Sequence, residues 1–399
     1  MTAVDDARTT RTRLYEQVDP LGYESLLSDA EHAVLTRLRT VLETDVKPLV
    51  NDCWDRAEFP HQIRGPIAAL DLMAPPELGE PGALFRGFRM LELARTDVSV
   101  AVFFGAQGTL FRNSVLLGGS PEQVASLDDG IRSWRTKGVF ALTEPDHGSD
   151  VAGGLETTAR RDGDGWVIDG AKRWIGGAEY ADLITVVARD EGDGEVKAFL
   201  VDRHAPGVSV EEIRRKVSLR IVNNGHITLT GVRVPEAMRL QDVNSFKDVN
   251  RLLCSMRADV AWLAVGAQAG AFEAAVRYTK GRTQFGRPVA GFQLVQDKLA
   301  TMLGNVTASL GMAVRLSQLE DGPGHTDADA ALAKGWIARR TRETVALARE
   351  VAGGNGITLD TDVARFFADA EAIYTFEGTN EINQLVVGRA ITGLSAFTR

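Results

Sequence analysis

Cysteine is nearly absent from this chain. The two residues, Cys53 and Cys254, lie far apart and form no CxxC or Cys/His spacing. This excludes a disulfide framework and a cysteine zinc site, and it fits a reducing compartment. The six histidines show no HExxH or similar metal spacing, and neither GxGxxG nor GxxxxGKS/T occurs. Zincin, Rossmann and P-loop chemistry therefore find no support. Positive charge is also scarce in any concentrated form: 45 Lys plus Arg stand against 54 Asp plus Glu, a net charge of −9, with no basic stripe. Nucleic acid and an anionic membrane are poor partners for such a surface. No apolar run approaches the ~18 residues of a membrane span. Residues 1–15 mix Asp5 and Asp6 with Arg8, Arg11 and Arg13 and contain no apolar run that could act as a signal peptide. The expected location is the cytoplasm, with no nucleic-acid or membrane partner.

What is present is the ordinary mix of a packed enzyme, 44% hydrophobic and 25% charged, in 399 residues, enough for two or three domains. Three periodicities divide it. Residues 1–138 read as helical: Ser28-Asp-Ala-Glu31 is a capping box leading into Leu35, Leu38, Val41, Leu42 and Val46 at helical spacing. Residues 139–245 read as a β-domain, with short strands near 156–161, 166–168, 183–189, 196–201 and 226–229 separated by turn chemistry such as Asp162-Gly-Asp-Gly165. After a loop around 235–250 the helical period returns, so that residues 246–399 read as a helical bundle with long helices near 258–280, 292–318 and 327–352. Thr326 is the expected N-cap of the last of these, with Asp329 at the capping-box position. No repeat or long linker separates the three regions, so they should pack on one another, with ligand sites at their junctions.

Four clusters carry chemistry. The first, Ala141-Leu-Thr-Glu-Pro-Asp-His-Gly-Ser-Asp150, is a strand entering a loop of small hydrogen-bonding residues, able to bring hydroxyls and N–H groups against a ring edge or a phosphate. Arg282-Thr-Gln-Phe-Gly286 with Phe292-Gln293 places a cation, an amide and an aromatic at a helix junction, and an arginine there can pair with a pyrophosphate. In Glu350-Val-Ala-Gly-Gly-Asn-Gly356 the glycines close a helix or let a ligand approach the backbone. Last, Glu377 in Tyr374-Thr-Phe-Glu-Gly-Thr379 stands on a short loop between two helices, before the expected N-cap Thr379. A carboxylate among Ile373, Tyr374 and Phe376 loses hydration, which raises its pKa and suits it to act as a general base.

In this order and over a chain of this length, the four clusters resemble the acyl-CoA dehydrogenase family across essentially all residues. Residues 143–150 look like its first signature and residues 350–369 like its second. The resemblance implies an α+β fold with an N-terminal helical domain, a middle β-barrel-like domain and a C-terminal four-helix bundle. It also implies bound FAD and a homotetramer. Carried over by position, it sets Leu142, Thr143, Gly148, Ser149, Trp174 and Gly176 near the flavin, and Arg282, Gln284, Phe285, Gln293, Glu350, Gly353 and Gly354 on the pyrophosphate and adenosine across a subunit boundary. Thr379 and Glu381 would touch FAD beside the base, while Ser149, Arg257 and Gly378 would touch substrate. The implied reaction is α,β-desaturation of an acyl-CoA to a 2-enoyl-CoA. Glu377 takes the α-proton, hydride passes to flavin N5, and the thioester carbonyl is held by the Glu377 N–H and a ribityl hydroxyl.

Within the family, Trp54-Asp-Arg-Ala-Glu-Phe-Pro60 and Gly388-Arg-Ala-Ile-Thr-Gly393 are closest to the glutaryl-CoA dehydrogenases and the short-chain acyl-CoA oxidases. The charged pair that handles a distal carboxylate in the glutaryl enzymes is replaced here by Ala94 and Ala101. Burying a second carboxylate without a cation is costly, so a short or medium neutral acyl chain is expected. Gly176 stands where most of the family's dehydrogenases carry Thr, which is compatible with an oxidase using O2 in place of an electron-transferring flavoprotein. A flavin monooxygenase or a carrier-protein thioester dehydrogenase are further readings on the same scaffold. His147 has no partner at metal spacing, and a structural role is expected for it.

Overall fold

In a computed structural model, which describes residues 12–397, the first long helix starts where its sequence predicts. Asp5, Asp6, Arg8 and Arg11 lie outside the described residues. Helix α1 (Asp29–Val41) opens on the Ser28 capping box: the Ser28 hydroxyl accepts from the Glu31 N–H at 3.3 Å, and the Glu31 carboxylate accepts from the Ser28 N–H at 2.7 Å. There follow α2 (Lys47–Arg56), α3 (Arg64–Ala68), α4 (Ala83–Thr96), α5 (Val98–Gly105), α6 (Arg112–Gly118) and α7 (Pro121–Arg132). A π-helical turn, Ala106–Phe111, joins α5 to α6 and buries two polar side chains, Gln107 and Thr109. Such insertions concentrate at functional sites.

The middle region is a curled seven-stranded sheet: β1 (Gly138–Ala141), β2 (Thr158–Asp162), β3 (Gly165–Gly176), β4 (Leu183–Asp190), β5 (Val196–Asp202), β6 (Val208–Glu212) and β7 (Asn224–Pro235). Strand β6 is an addition to the sequence reading. Its two adjacent glutamates hide the alternation that a strand period needs. Strands β1 and β2 both run parallel to β4, at Leu183 to Val186 and at Arg189 to Asp190, so residues 142–157 form a detour between two contacts with one strand. That detour carries the first cluster and the short α8 (Val151–Gly154). Strands β3 and β7 pair antiparallel, with a register shift between Lys172 and Ile175. The bulge frees Trp174 from the ladder and leaves it at φ 67°.

The C-terminal region comprises α9 (Phe246–Gly281), a hairpin of β8 (Thr283–Gln284) and β9 (Arg287–Pro288), α10 (Gln293–Glu320), α11 (Asp327–Val351), α12 (Val363–Thr375) and α13 (Asn380–Thr392). Helix α9 begins inside the stretch read as loop. The Asp248 carboxylate accepts from the Ser245 hydroxyl at 2.8 Å and the Asn244 N–H at 3.1 Å, a local start signal that apolar periodicity does not report. Thr326 caps α11 with Asp329 as expected. Helices α4 and α9 pack backbone to backbone: a Cβ on Gly266 would stand 2.4 Å from the Leu91 carbonyl oxygen.

Helix α12 ties the three regions together. The Arg365 guanidinium pairs with the buried Asp97 and donates to Asn51 Oδ1 at 2.6 Å, both in the N-terminal region. One turn on, the Asp369 carboxylate accepts from the Leu219 N–H of the middle region at 2.6 Å. Burial and the nearby Asp97 push its carboxyl up to about 7.

Two helical stretches, Val98–Gly118 and Gln293–Glu320, are long and apolar enough by length and composition to cross a membrane, which corrects the sequence reading that none approaches it. The first is 67% buried within the protein, the position of a core helix. The second is 39% buried, and its outer side, with Leu303 and Met312, joins Leu21 and Tyr23 in an open apolar groove.

Candidate active site

Glu377 lies between α12 and α13, as its flanking caps predict. Helix α12 closes on Phe376, and Thr379 opens α13 by accepting the Ile382 N–H at 3.2 Å. Between them the chain turns through two left-handed residues, Glu377 at φ 51° and Gly378 at φ 87°. Glycine adopts that conformation freely, whereas glutamate there is strained and must be held by its surroundings. Lys334 of α11, fully buried, donates to the Gly378 carbonyl at 2.6 Å and reaches that of Tyr374 at 3.5 Å. Asn383 Nδ2 donates to the Gly378 and Thr379 carbonyls, each at 2.9 Å. Arg257 of α9, buried and paired with Asp327, stands beside the turn: a Cβ on Gly378 would lie 3.9 Å from its Nε.

As a residue Glu377 is half-buried, but its carboxylate points inward and Oε2 is shut from solvent without a hydrogen-bond partner. Burial pushes its pKa up to about 8. The Asp259 carboxylate adds to the rise, and Lys334 and Arg257 pull against it. Burial lowers Lys334 to about 8 in turn, with Glu377 opposing the fall. The Glu377 N–H meets no backbone acceptor among the described residues. The turn therefore offers a proton acceptor and a free N–H donor side by side, the two groups needed to take a proton α to a carbonyl and to stabilise the oxyanion that results.

The first cluster is organised by a residue that sequence reasoning passed over. The buried Glu144 carboxylate accepts from Lys172 Nζ at 2.8 Å and from the N–H groups of Glu156 and Thr157 at 2.7 and 2.9 Å. It thereby closes the detour and anchors Leu142 and Thr143, whose carbonyls accept from Lys172 Nζ at 3.1 Å and the Arg173 N–H at 2.8 Å. Gly148 and Ser149 are exposed, and a Cβ on Gly148 would meet nothing within 4 Å. Trp174 is 52% exposed on the neighbouring strand. At Gly176 a Cβ would come no closer than 3.7 Å to any atom, so the residue leaves open room rather than relieving a clash. His147 bonds Asp150 at 2.9 Å and holds the loop.

Arg282, Gln284, Phe285, Gln293, Glu350, Gly353 and Gly354 lie together at the far end of the bundle and are all exposed. Phe285, at φ 51°, and Gly286, at φ 76°, form the tip of the β8–β9 hairpin, with Phe285 92% exposed. Asn355 bonds the Tyr278 hydroxyl at 2.9 Å, and Glu350 pairs with Lys298 at 3.3 Å. Among the described residues no hydrogen bond, ion pair or ring contact joins this group to Trp174 or to the Leu142–Ser149 loop. Glu381 accepts from the Tyr374 hydroxyl at 3.2 Å, next to Thr379. Lys334 and Asp259, both missed in the sequence, share one signal: a lone charge inside an otherwise apolar helical face.

Sequence models of acyl-CoA dehydrogenases match this chain in three parts: the N-terminal domain at residues 28–127, the middle domain at 139–232 and the C-terminal domain at 246–392. The chain is 32% identical over 368 residues to a 3-(aryl)acrylate reductase of Clostridium sporogenes, covering 90% of this chain and 97% of the relative. It is 30% identical over 348 residues to the caffeyl-CoA reductase–Etf complex subunit CarC of Acetobacterium woodii, with 85% and 92% covered. A glutaryl-CoA dehydrogenase from Mycobacterium smegmatis in complex with FADH2 superimposes with a TM-score of 0.91 at 30% identity, covering 96% of this chain and 100% of the other. With three matched domains in order over most of its length, the chain belongs to the acyl-CoA dehydrogenase family, enzymes that oxidise the CH–CH bond of acyl-CoA thioesters.

Proposed function

We propose that this protein desaturates a short- or medium-chain, uncharged acyl-CoA to its 2-enoyl-CoA, with FAD as cofactor and Glu377 as base. The observation that carries the reading is the Glu377 carboxylate, dry, unpartnered at Oε2 and fixed on a strained turn. Raised to about 8, it binds an α-proton well near neutral pH. The thioester carbonyl takes the free Glu377 N–H, and Arg257, beside Gly378, faces the CoA arm. Bound FAD supplies the acceptor for the hydride that leaves the β-carbon. The chain's features fit such a ring: an exposed Trp174, the Thr143 and Ser149 hydroxyls, and open space over Gly148, Gly353 and Gly354.

Ala94 and Ala101 are fully buried and supply no cation, which supports an uncharged acyl group. Trp262, packed on Phe88 at 5.0 Å, fills the interior between α4 and α9 and supports a short one. Exposed Phe285, Leu294 and Ile357, together with the apolar groove along α10, support assembly of several copies, proposed as a homotetramer. The electron acceptor proposed is an electron-transferring flavoprotein. The open space at Gly176 favours oxygen as a second reading.

The test is anaerobic mixing of the FAD-loaded protein with butyryl- to octanoyl-CoA and glutaryl-CoA, following flavin bleaching and then readmitting air. Bleaching by neutral thioesters, absent in Glu377→Gln, is the expected result, and no bleaching by any thioester overturns the reading. Rapid recolouring with peroxide assigns oxygen as acceptor. The names of two relatives are those of reductases, so reoxidation by enoyl-CoA belongs in the same assay.

A further inference from the structure

Gly176 and Asn224 are opposed residues at the end of the β3–β7 ladder. Residues paired across two strands project from the same face of the sheet, so the Asn224 side chain stands on the face where Gly176 has none. The distances agree. A Cβ on Gly176 would have Asn224 Nδ2 and Val222 Cγ1 as its nearest neighbours, each at 3.7 Å, with Val102 Cγ1 at 4.0 Å. Asn224 Nδ2 is therefore the one polar atom among the three that border the open space at Gly176.

Asn224 is 9% exposed, and its amide is oriented from behind. Lys216 Nζ donates to Asn224 Oδ1 at 2.7 Å, to the Leu219 carbonyl at 2.8 Å and to the Val222 carbonyl. An ammonium group has three donors and no acceptor, so this contact fixes the amide with its oxygen toward Lys216 and its nitrogen toward β3. The loop that carries Lys216 is held in turn by both neighbouring regions. The Leu219 N–H donates to Asp369, and Arg220 donates to the Trp54 and Asp55 carbonyls at 2.8 and 2.7 Å. Two strained left-handed residues, Arg215 at φ 61° and Leu219 at φ 50°, persist there because the surroundings over-determine them.

Asn224 Nδ2 donates to the Trp174 carbonyl at 3.3 Å. An amide nitrogen carries two N–H groups, and among the described residues the second meets no acceptor. Leaving a buried donor unmade is costly, so an acceptor from outside the chain is expected beside Trp174 and Gly176. An alkyl chain has none to offer, and the thioester carbonyl is already assigned to the Glu377 N–H. The edge of a flavin ring presents carbonyl oxygens and ring nitrogens.

We propose that Asn224, aimed by Lys216, is a cofactor-binding residue whose second amide N–H donates to an acceptor on the edge of the flavin ring. The proposal rests on the reading that FAD lies against Trp174 and Gly176. Two variants test it by FAD titration and by the visible spectrum of the bound flavin. Asn224→Asp keeps the acceptor for Lys216 and removes both N–H groups. Asn224→Ala combined with Gly176→Thr removes the amide and returns a hydroxyl donor to the same space, which admits a Cβ.

Asn224→Asp and Asn224→Ala should each weaken FAD binding by up to about tenfold and shift the flavin absorption bands. Adding Gly176→Thr to Asn224→Ala should recover most of both changes. Parent-like affinity and spectrum in Asn224→Asp overturn the assignment. So does a loss in Asn224→Ala that Gly176→Thr leaves unrecovered, which marks Asn224 as a support for the Trp174 carbonyl alone. The underlying reading is checked separately by the quenching of tryptophan fluorescence on FAD addition. Quenching that is reduced in Trp174→Phe supports the ring's position, and quenching of equal size in Trp174→Phe and the parent places the ring elsewhere and removes the reading and the proposal together.

Discussion

The Glu377 turn and the hairpin end of the bundle sit in the same C-terminal region and are built on opposite terms. Around Glu377 the chain supplies everything from within: Lys334 and Asn383 hold the carbonyls, Arg257 flanks the turn, and the carboxylate is left dry. At the hairpin, Arg282, Gln284, Phe285 and Gln293 are exposed, and no ion pair joins them to another described residue. A single chain therefore completes the turn proposed for proton transfer but leaves the hairpin side chains open to solvent. Chemistry and cofactor retention should be separable by mutation, the first insensitive to assembly and the second dependent on it.

The largest effect that would test this separation is at Glu377. Glu377→Gln should slow thioester-driven flavin reduction by roughly a hundredfold to ten-thousandfold, measured by stopped-flow bleaching, while FAD content stays unchanged. Loss of FAD from that variant would break the comparison.

Next is Lys334→Met. Lys334 lowers the pKa of Glu377, so removing it should raise the base further above about 8. Each unit of that rise costs about tenfold in rate at pH 7 and is recovered at higher pH, which moves the rising limb of the pH–rate profile to the right. A rate loss equal at all pH values would instead mark Lys334 as a purely structural support.

Stability supplies a smaller effect. A carboxyl whose folded pKa, about 8, exceeds its ordinary 4.5 binds its proton more tightly in the folded state. Its contribution is intact below pH 4.5 and is lost as pH rises through about 8. Glu377→Gln should thus unfold at higher temperature than the parent at pH 9 and nearly equally at pH 4, the difference amounting to roughly 1 kcal/mol after discounting for partial exposure. Thermal scans at the two pH values measure it.

At the hairpin, Arg282→Ala should weaken FAD retention by about tenfold through loss of a charged hydrogen bond, with kcat at saturating FAD within about twofold. Dilution should release the cofactor from the parent protein as well, if a second copy completes the site.

Local signals were readable in the sequence. Ser28, Thr326 and Thr379 cap helices where their spacing says they must, and Glu377 falls on its inter-helix loop because the flanking helices end on local cues. Those signals span a few residues. The start of α9 and strand β6 escaped because a hydrogen-bonded Asp248 and a polar edge strand leave no apolar period. The support of the site escaped for a different reason. Lys334 meets its partner 44 residues away and Arg365 meets Asp97 at a separation of 268, and no spacing rule predicts which distant turn will face a lone charge. Only the interruption of an apolar face by Lys334 or Asp259 was visible in the sequence, as a sign that something had to answer it.

The Arg365 and Asp369 contacts from one helix to both other regions have a mechanical meaning. Regions bolted to a common strut keep a fixed spacing. Rotating one region away would mean exposing an unpaired Asp97 and tearing Asp369 from the Leu219 N–H, a steep cost. The three regions are thus held at a spacing set by one helix, and any ligand bound between them would have to fit that spacing.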